Sequence, residues 1–229
     1  MTTPSDADLR SFLAAVKGAR PSDLLRVEHE VDPAHETAAI LTLLEGRQRS
    51  PILYFEHVRG CEWPLVTNVC GSMGRLALGL GCGIKEVAAR YADAARRPHP
   101  PAVVEDAAVH ACAMEGDAVD LHRFPALRYH EDDAPQPYLT AAIVVARDPD
   151  DGVANLSYHR LMIAGRDRCG IYIEPGRHLD GILRKHVAAG RDLPVAVILG
   201  AHPAWSLGAL FSGPAATDEY DIIGGMLGA

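Results

Sequence analysis

Polar residues that could bind a metal ion recur in three short stretches of an otherwise apolar region. The stretches are NLSYHR at 155–160, RH at 177–178 and DEY at 218–220. Asn155 offers a neutral oxygen, His178 an imidazole nitrogen and Glu219 a carboxylate. Such a donor set, with positions left open for water or phosphate oxygens, suits a divalent ion such as Mn²⁺ or Mg²⁺. An ion held in this way could clamp the phosphate of a cofactor.

Two arginines, Arg160 and Arg177, lie in the same stretches. A guanidinium binds a phosphate or a carboxylate bidentately, so either arginine could neutralise a cofactor phosphate or hold a substrate carboxylate. The alternative is that all these residues have ordinary structural roles. An asparagine is common at turns and strand edges, a histidine on the surface, and a glutamate in a first helical turn for dipole reasons. Spacing alone leaves both interpretations open.

The first stretch must be positioned by a strand, which the pattern predicts over residues 153–163. Side chains alternate between the two faces of a strand, so Asn155, Ser157 and His159 are expected on one face. Arg160 is expected on the other face unless a bulge intervenes.

The first hundred residues predict a small N-terminal α/β domain, over 1–100. The predicted helices are 6–17, 32–46, 72–80 and 84–97, and the predicted strands are 24–31, 51–58 and 64–70. We expect Ser5 or Asp6 to cap the first helix and Asp32, followed by Pro33, to start the second. The proline-rich segment RRPHPPAV at 96–103 predicts a linker.

The second part, over 101–229, predicts a split β-barrel. Strands are expected at 102–114, 137–148, 152–165 and 168–175, then a helix at 177–189, a buried strand at 193–201 and a helix capped by Thr217. A meander of mainly antiparallel strands is typical of a small barrel or split barrel. The apolar residues of the last helix are expected to lack a packing surface within this chain; they are Ile222, Ile223, Met226 and Leu227.

Composition narrows the classes of protein. The 229 residues carry a formal net charge of −8, which does not suggest a nucleic-acid or anionic-membrane partner. The five cysteines are odd in number and form no CxxC, so we expect reduced thiols rather than zinc ligands or disulfides. Neither a signal peptide nor an apolar run long enough to cross a bilayer is present, which favours the cytoplasm.

A fixed order of motifs runs along the chain. The first domain contains DLRSFL, LLRVEHEVDP, PILYFEHVRG and VTNVCGSMGRLALGLG. The second contains Tyr138-x-Thr140, the acidic turn DPDD, Asn155-x-x-x-x-Arg160, then His178 and finally Asp218-Glu219. In this order they resemble the N-terminal part of the UbiD family of decarboxylases over nearly the whole chain.

The resemblance implies prenylated FMN, Mn²⁺ (or Mg²⁺) and often K⁺ as cofactors, with the flavin in the split barrel. It implies Asn155, His178 and Glu219 as metal ligands that bridge to the flavin phosphate. The residues implied to bind the flavin are Thr140, Asn155, Ser157, Tyr158, His159, Arg160, Arg177 and His178. Arg160 is implied to be catalytic, since it would hold the substrate carboxylate. The implied reaction is non-oxidative decarboxylation of an aromatic or α,β-unsaturated acid, with chemistry that belongs to the cofactor.

The sequence also departs from the family pattern. DDAPQPYLT stands where the family has a glycine-rich stretch, and Arg177 stands where a neutral residue is common. Family members continue beyond Ala229 with glutamates of the catalytic network, a phosphate-binding lysine and a C-terminal domain. We therefore expect a truncated chain, a natural fragment or one half of a split enzyme.

Three hypotheses follow: a decarboxylase, a flavin- and metal-binding fragment that needs another chain, and an interaction protein with an exposed surface at 220–228. The expected partners are a small carboxylic acid, a second copy of the chain or a C-terminal half.

Overall fold

The computed structural model describes residues 7–105 and 107–228. The helices are α1 (Leu9–Ala19), α2 (Glu36–Gly46), α3 (Met73–Gly79), α4 (Val87–Arg96), α5 (His178–Ala188), α6 (Pro203–Gly208) and α7 (Glu219–Leu227). The strands are β1 (Leu24–Val31), β2 (Ile52–Val58), β3 (Leu65–Thr67), β4 (Tyr138–Arg147), β5 (Ala154–Ile163), β6 (Cys169–Ile171) and β7 (Val195–Ile198). The predicted mixed α+β class is confirmed.

The first sheet has the strand order β1-β2-β3, with β1 parallel to β2 and β2 antiparallel to β3. Val31 and Phe55 are fully buried in its core, which also contains Leu44 of α2. The crossover from β1 to β2 through α2 is the unit that parallel strands require. Strands β1 and β2 agree with the predicted strands to within one residue, and β3 is shorter than predicted.

The starts of α1 and α2 are set by residues other than the predicted ones. Helix α1 is capped by Asp8, whose carboxylate accepts a hydrogen bond from the Ser11 backbone N–H at 2.9 Å; the predicted caps Ser5 and Asp6 lie outside the described residues. The prediction that α2 starts at Asp32 was wrong. The Asp32 side chain closes a local turn onto the Ala34 backbone N–H instead, and the helix begins four residues later.

The second sheet is antiparallel, with the strand order β6-β5-β4-β7. It is open in the described part of the chain, so the predicted barrel closure is not seen there. Helix α5 packs on one face, where Leu179 and Ile182 join Ala142 and Val144 in one apolar cluster. Helices α6 and α7 contribute to the cluster on the other face, with Ile143 and Leu156.

Two strand predictions in this part need correction. The described residues of 102–114 form no strand, and Ala108–Ala111 form a short 3-10 turn instead. Strand β7 forms but is not buried, and the exposed fractions of Val195 and Val197 are 52% and 43%. Among the described residues it pairs with β4 alone and is an edge strand, so it has fewer neighbouring strands to cover it.

Helix α7 also differs from the prediction. Asp218 caps it rather than Thr217, by accepting the Tyr220 backbone N–H at 2.9 Å. Its apolar residues are buried rather than unpacked: Ile222 and Met226 are fully buried. They pack in a cluster that includes Ala94 of α4. The prediction that 220–228 forms an exposed interaction surface was therefore wrong.

The same cluster contains residues on both sides of the predicted linker. Helices α3 and α4 of the first part thus share a core with the second sheet and α7. The division at residue 100 stays a prediction.

All five cysteines are free thiols. Burial raises the pKa of Cys61, Cys82 and Cys169, which disfavours the reactive thiolate at these positions. Within the described ranges, every helix is too short or too polar to cross a lipid bilayer.

Candidate functional site

Three polar side chains on one face of β5 form a hydrogen-bonded row. The Asn155 side-chain amide donates to the Ser157 hydroxyl at 3.1 Å, and that hydroxyl lies 3.0 Å from Nε2 of His159. Nδ1 of His159 lies 3.1 Å from the backbone oxygen of Tyr172. The alternation of β5 therefore places Asn155, Ser157 and His159 together, as the sequence predicts.

The N-terminus of α7 meets the open edge of β5. In the described part of the chain β6 pairs with residues 161–163 of β5 and not with its beginning, so the backbone N–H groups there can donate to other acceptors. The Asp218 carboxylate accepts the Ala154 N–H, and the Glu219 carboxylate accepts the Leu156 N–H, each at 3.1 Å. The two acidic residues thus lie beside the backbone that carries Asn155.

The Glu219 carboxylate is buried, with 2% of the residue exposed. Burial raises the pKa of Glu219 to about 7; the Leu156 hydrogen bond opposes the rise, and the Asp218 carboxylate adds to it. No basic side chain of the described residues forms an ion pair with it. A buried carboxylate with one hydrogen bond and no counter-charge is a good ligand for a cation.

His178 and Arg177 lie at the start of α5, on the face of the sheet that carries the polar row. Ala142 and Val144, which pair with His159 and Ser157 across the sheet, are packed against this helix. Arg177 is exposed at the N-cap position and forms no side-chain cap. In the described residues no hydrogen bond joins His178 to Asn155 or Glu219, so the structure places it on the same face without direct contact.

A β-bulge lies at Arg160. Leu139 pairs with Leu161 and Ala142 pairs with His159, so the single residue Arg160 opposes two residues of β4. One of the two is Thr140, the other residue expected near a flavin ring. Bulges re-aim side chains and are frequent next to active sites.

Both residues at the bulge line a cavity of about 600 Å³. Its other lining residues include Tyr129, Tyr138, Met162 and Tyr172. The Thr140 hydroxyl lies 2.9 Å from that of Tyr129, which holds the threonine at the cavity wall. Arg160 has no ion-pair partner among the described residues, so its charge is available to an anionic ligand in the cavity.

Tyr158 is the predicted site residue that lies elsewhere. It is on the opposite face of β5 from Asn155, and its hydroxyl donates to Ser206 at 2.8 Å. Arg160 also leaves the polar row, as the alternation predicts, and opens on the cavity. Tyr172 connects the polar row of β5 with the cavity. The residue lines the cavity, and its backbone oxygen accepts a hydrogen bond from His159.

Sequence analysis missed Tyr129 and Tyr172, and it did not single out Asp218 as a bond to β5. No motif marks the two tyrosines, because they reach the site through a loop and a short strand. For Asp218, the adjacent acidic residue was the available signal.

The oxygen donors of Glu219 and Asn155 are of the type that a hard divalent cation prefers. They do not form a site from charged side chains alone. Among the described residues, no group of three or more His, Cys, Asp and Glu side chains could hold a metal. A site built on Glu219 therefore needs neutral or exogenous oxygens. Asn155 is 7% exposed, and its amide oxygen accepts no hydrogen bond within the described chain. The Asn155 amide oxygen is therefore a neutral oxygen of the kind that a site built on Glu219 requires.

The sheet, the arginine-lined cavity and the buried oxygen donors characterise a mixed α+β protein with a candidate site whose charges and donors suit an anionic ligand and a cation. The chain belongs to the UbiD family. The model for the 3-octaprenyl-4-hydroxybenzoate carboxy-lyase Rift-related domain matches residues 102–229, and the model for the N-terminal domain of the same carboxy-lyase matches residues 19–95.

Relatives and solved structures agree with this assignment. The chain is 32% identical over 217 residues to an anhydromevalonate phosphate decarboxylase of Methanothermobacter thermautotrophicus, covering 93% of this chain and 47% of the relative. It is 33% identical over 239 residues to a phenolic acid decarboxylase of a Streptomyces species, covering 97% and 48%. An evolved dimeric form of the UbiD-class enzyme HmfF from Pelotomaculum thermopropionicum, in complex with prFMN, superposes with a TM-score of 0.88 at 37% identity, covering 96% and 50%. The chain spans about half the length of the relatives it matches.

Proposed function

We propose that this chain contributes the prenylated-FMN and Mn²⁺ site of a UbiD-type carboxy-lyase, which decarboxylates an aromatic or α,β-unsaturated acid without net oxidation. The observation that carries the proposal is the buried Glu219 carboxylate. It lies against the edge of β5, beside Asn155, and has no basic partner among the described residues. A bound cation would supply the counter-charge that the ionised carboxylate lacks among the described residues.

In this proposal Asn155, His178 and Glu219 would hold the metal, which would supply positive charge for the flavin phosphate. Arg177, exposed at the start of α5, neutralises the remaining phosphate charge. The proposed side-chain contacts of the flavin are Thr140, Ser157 and His159. Tyr158, which the resemblance also implies, faces the other side of β5 and donates to Ser206. When bound, the flavin supplies the electron sink that decarboxylation requires. K⁺ is an additional proposed cation.

Arg160 holds the substrate carboxylate in the proposed reaction. Its guanidinium lines the cavity opposite Thr140 and has no ion-pair partner among the described residues. A bidentate contact would orient the carboxylate for loss of CO₂.

The alternative is a fragment that binds flavin and metal but needs another chain for turnover. The length of the chain, about half that of its relatives, favours this candidate. The proposed partners are a second copy of the chain or a C-terminal half that completes the split barrel begun by β6-β5-β4-β7. A cytoplasmic location also stays a prediction.

The test measures flavin bound to the purified chain after incubation with prenylated FMN and Mn²⁺, by absorbance and mass. We expect stoichiometric binding that Asn155→Ala and His178→Ala each abolish. His29→Ala, at an exposed histidine of β1, is the matched control and is expected to bind normally. Equal binding by all four proteins would refute the proposed ligands.

A second measurement separates the two candidates. CO₂ release from a panel of aromatic and α,β-unsaturated acids is recorded for the loaded chain alone and after addition of a C-terminal half from a relative. Turnover by the chain alone excludes the fragment candidate. Turnover only with the added half supports it, and no turnover in either case contradicts the carboxy-lyase proposal.

A further inference from the structure

We propose that His159 and Ser157 are positioning residues that hold the Asn155 amide with its oxygen directed to the cation and its nitrogen away from it. The inference rests on the proposed function, because it assumes that Asn155 is a metal ligand. It adds a role for two side chains that the resemblance places only along the flavin.

The backbone oxygen of Tyr172 determines which nitrogen of His159 carries the proton. Nδ1 lies 3.1 Å from the backbone oxygen of Tyr172, and a carbonyl oxygen can only accept. Nδ1 therefore carries the hydrogen. In the neutral ring the other nitrogen, Nε2, is then an acceptor.

Nε2 of His159 in turn determines the direction in which the Ser157 hydroxyl donates its proton. It lies 3.0 Å from Nε2 of His159, so its single proton is donated to that nitrogen. The serine oxygen keeps its lone pairs and can only accept from its remaining neighbour.

The Ser157 oxygen then determines the orientation of the Asn155 side-chain amide. The remaining neighbour of the Ser157 oxygen is the Asn155 side chain at 3.1 Å, and only the NH₂ end of an amide can donate to it. The reversed amide would set its oxygen against the serine oxygen with no proton between them. The amide orientation thus follows from donor and acceptor valence along the row, starting from a backbone carbonyl that cannot change role.

The row matters for metal binding because an amide offers one ligand atom and one hydrogen donor. Only the oxygen coordinates a hard cation. Residues that orient a ligand in this way are worth about 10–100-fold in metal affinity. Ser157 and His159 are therefore expected to act on the metal through Asn155, without contact to it.

The experiment measures Mn²⁺ affinity directly, with Mn²⁺ alone as the probe and the electron paramagnetic resonance signal of the free ion as the readout. Titrations are repeated with FMN present. We expect Ser157→Ala and His159→Phe to weaken Mn²⁺ binding by about 10–100-fold. Ser157→Thr and His159→Gln keep the donor and acceptor and are expected to restore affinity to within a few-fold of wild type.

Ser206→Ala is the matched control. It removes a serine hydroxyl that is hydrogen-bonded to Tyr158 on the other face of β5, and it is expected to leave Mn²⁺ affinity unchanged. Thermal unfolding of each variant identifies any loss of folded protein. A general structural effect would weaken the threonine and glutamine variants as well, which separates it from orientation of the amide.

The outcomes distinguish this inference from the proposed function. If the wild-type chain binds no Mn²⁺ with or without FMN, the metal site of the proposed function is refuted and the inference with it. If the wild type and Asn155→Ala differ as expected but Ser157→Ala binds as tightly as wild type, only the positioning role is refuted.

Discussion

Replacement of the buried carboxylate by an amide, Glu219→Gln, is expected to stabilise the metal-free protein above neutral pH. In the metal-free chain Glu219 is 2% exposed, and its pKa rises from 4.5 to about 7 because of burial. One pKa unit corresponds to about 1.4 kcal/mol, so the ionised carboxylate costs about 3 kcal/mol of folding free energy at pH 8. Glutamine avoids that cost and can still accept the Leu156 N–H.

The sign follows from proton binding. Between pH 4.5 and 7 the folded state binds more protons at Glu219 than the unfolded state does, so stability from this group falls as the pH rises through that window. Burial of the glutamine amide nitrogen without an acceptor costs about 1 kcal/mol of folding free energy. The net gain from Glu219→Gln is then about 1–3 kcal/mol at pH 8, and it disappears near pH 5.

The assay is urea unfolding of wild type and Glu219→Gln at pH 8 and pH 5, in the presence of a chelator. A repeat with excess Mn²⁺ is expected to reverse the order, since only wild type gains stability from a bound cation. A variant that is less stable than wild type in chelator at pH 8 would refute the argument that the carboxylate is buried without a counter-charge.

Two further predictions concern packing that positions the site. Arg75 is 1% exposed and donates to three backbone oxygens at 2.7–3.1 Å, so Arg75→Met is expected to cost at least about 3 kcal/mol in urea unfolding; Arg184→Met, at an exposed ion pair, is the control and should cost less than about 1 kcal/mol. Gly225→Ala would set a methyl group 3.2 Å from the Ala94 backbone at the α4–α7 contact and should lower stability by about 1–3 kcal/mol. Gly181→Ala, in α5 with no atom within 4 Å of the new carbon, should instead raise stability by about 0.5–1 kcal/mol. Equal effects of the two arginine variants, or of the two glycine variants, would contradict these assignments.

Local patterns in the sequence determined much of the secondary structure. The strand at Leu24–Val31 follows directly from its residue pattern, and the helix predicted over 72–80 forms as α3, with Ser72 as its N-cap. The alternation of β5 alone assigned Asn155, Ser157 and His159 to one face. These features are local, because side-chain direction in a strand depends on residue spacing and helix caps depend on the next few backbone groups.

Several errors of prediction have one physical cause. A run of apolar residues predicts burial but not the surface that buries it. Strand β7 was expected in the core and lies at a sheet edge, whereas α7 was expected to lack a packing surface and is buried against α4. Burial depends on which elements meet, and no local period reports this.

The sequence by itself determined the family, through the order of its motifs, and it proposed candidate site residues, although Tyr129, Tyr172 and the Asp218 contact were not among them. Tertiary structure alone decided how the site residues are combined. The approach of Glu219 to the Leu156 backbone joins residues far apart in the chain, and the bulge that opposes Arg160 with Thr140 arises from the register between two strands. Both depend on how separate elements pair, since the same side chains in another register would face other neighbours.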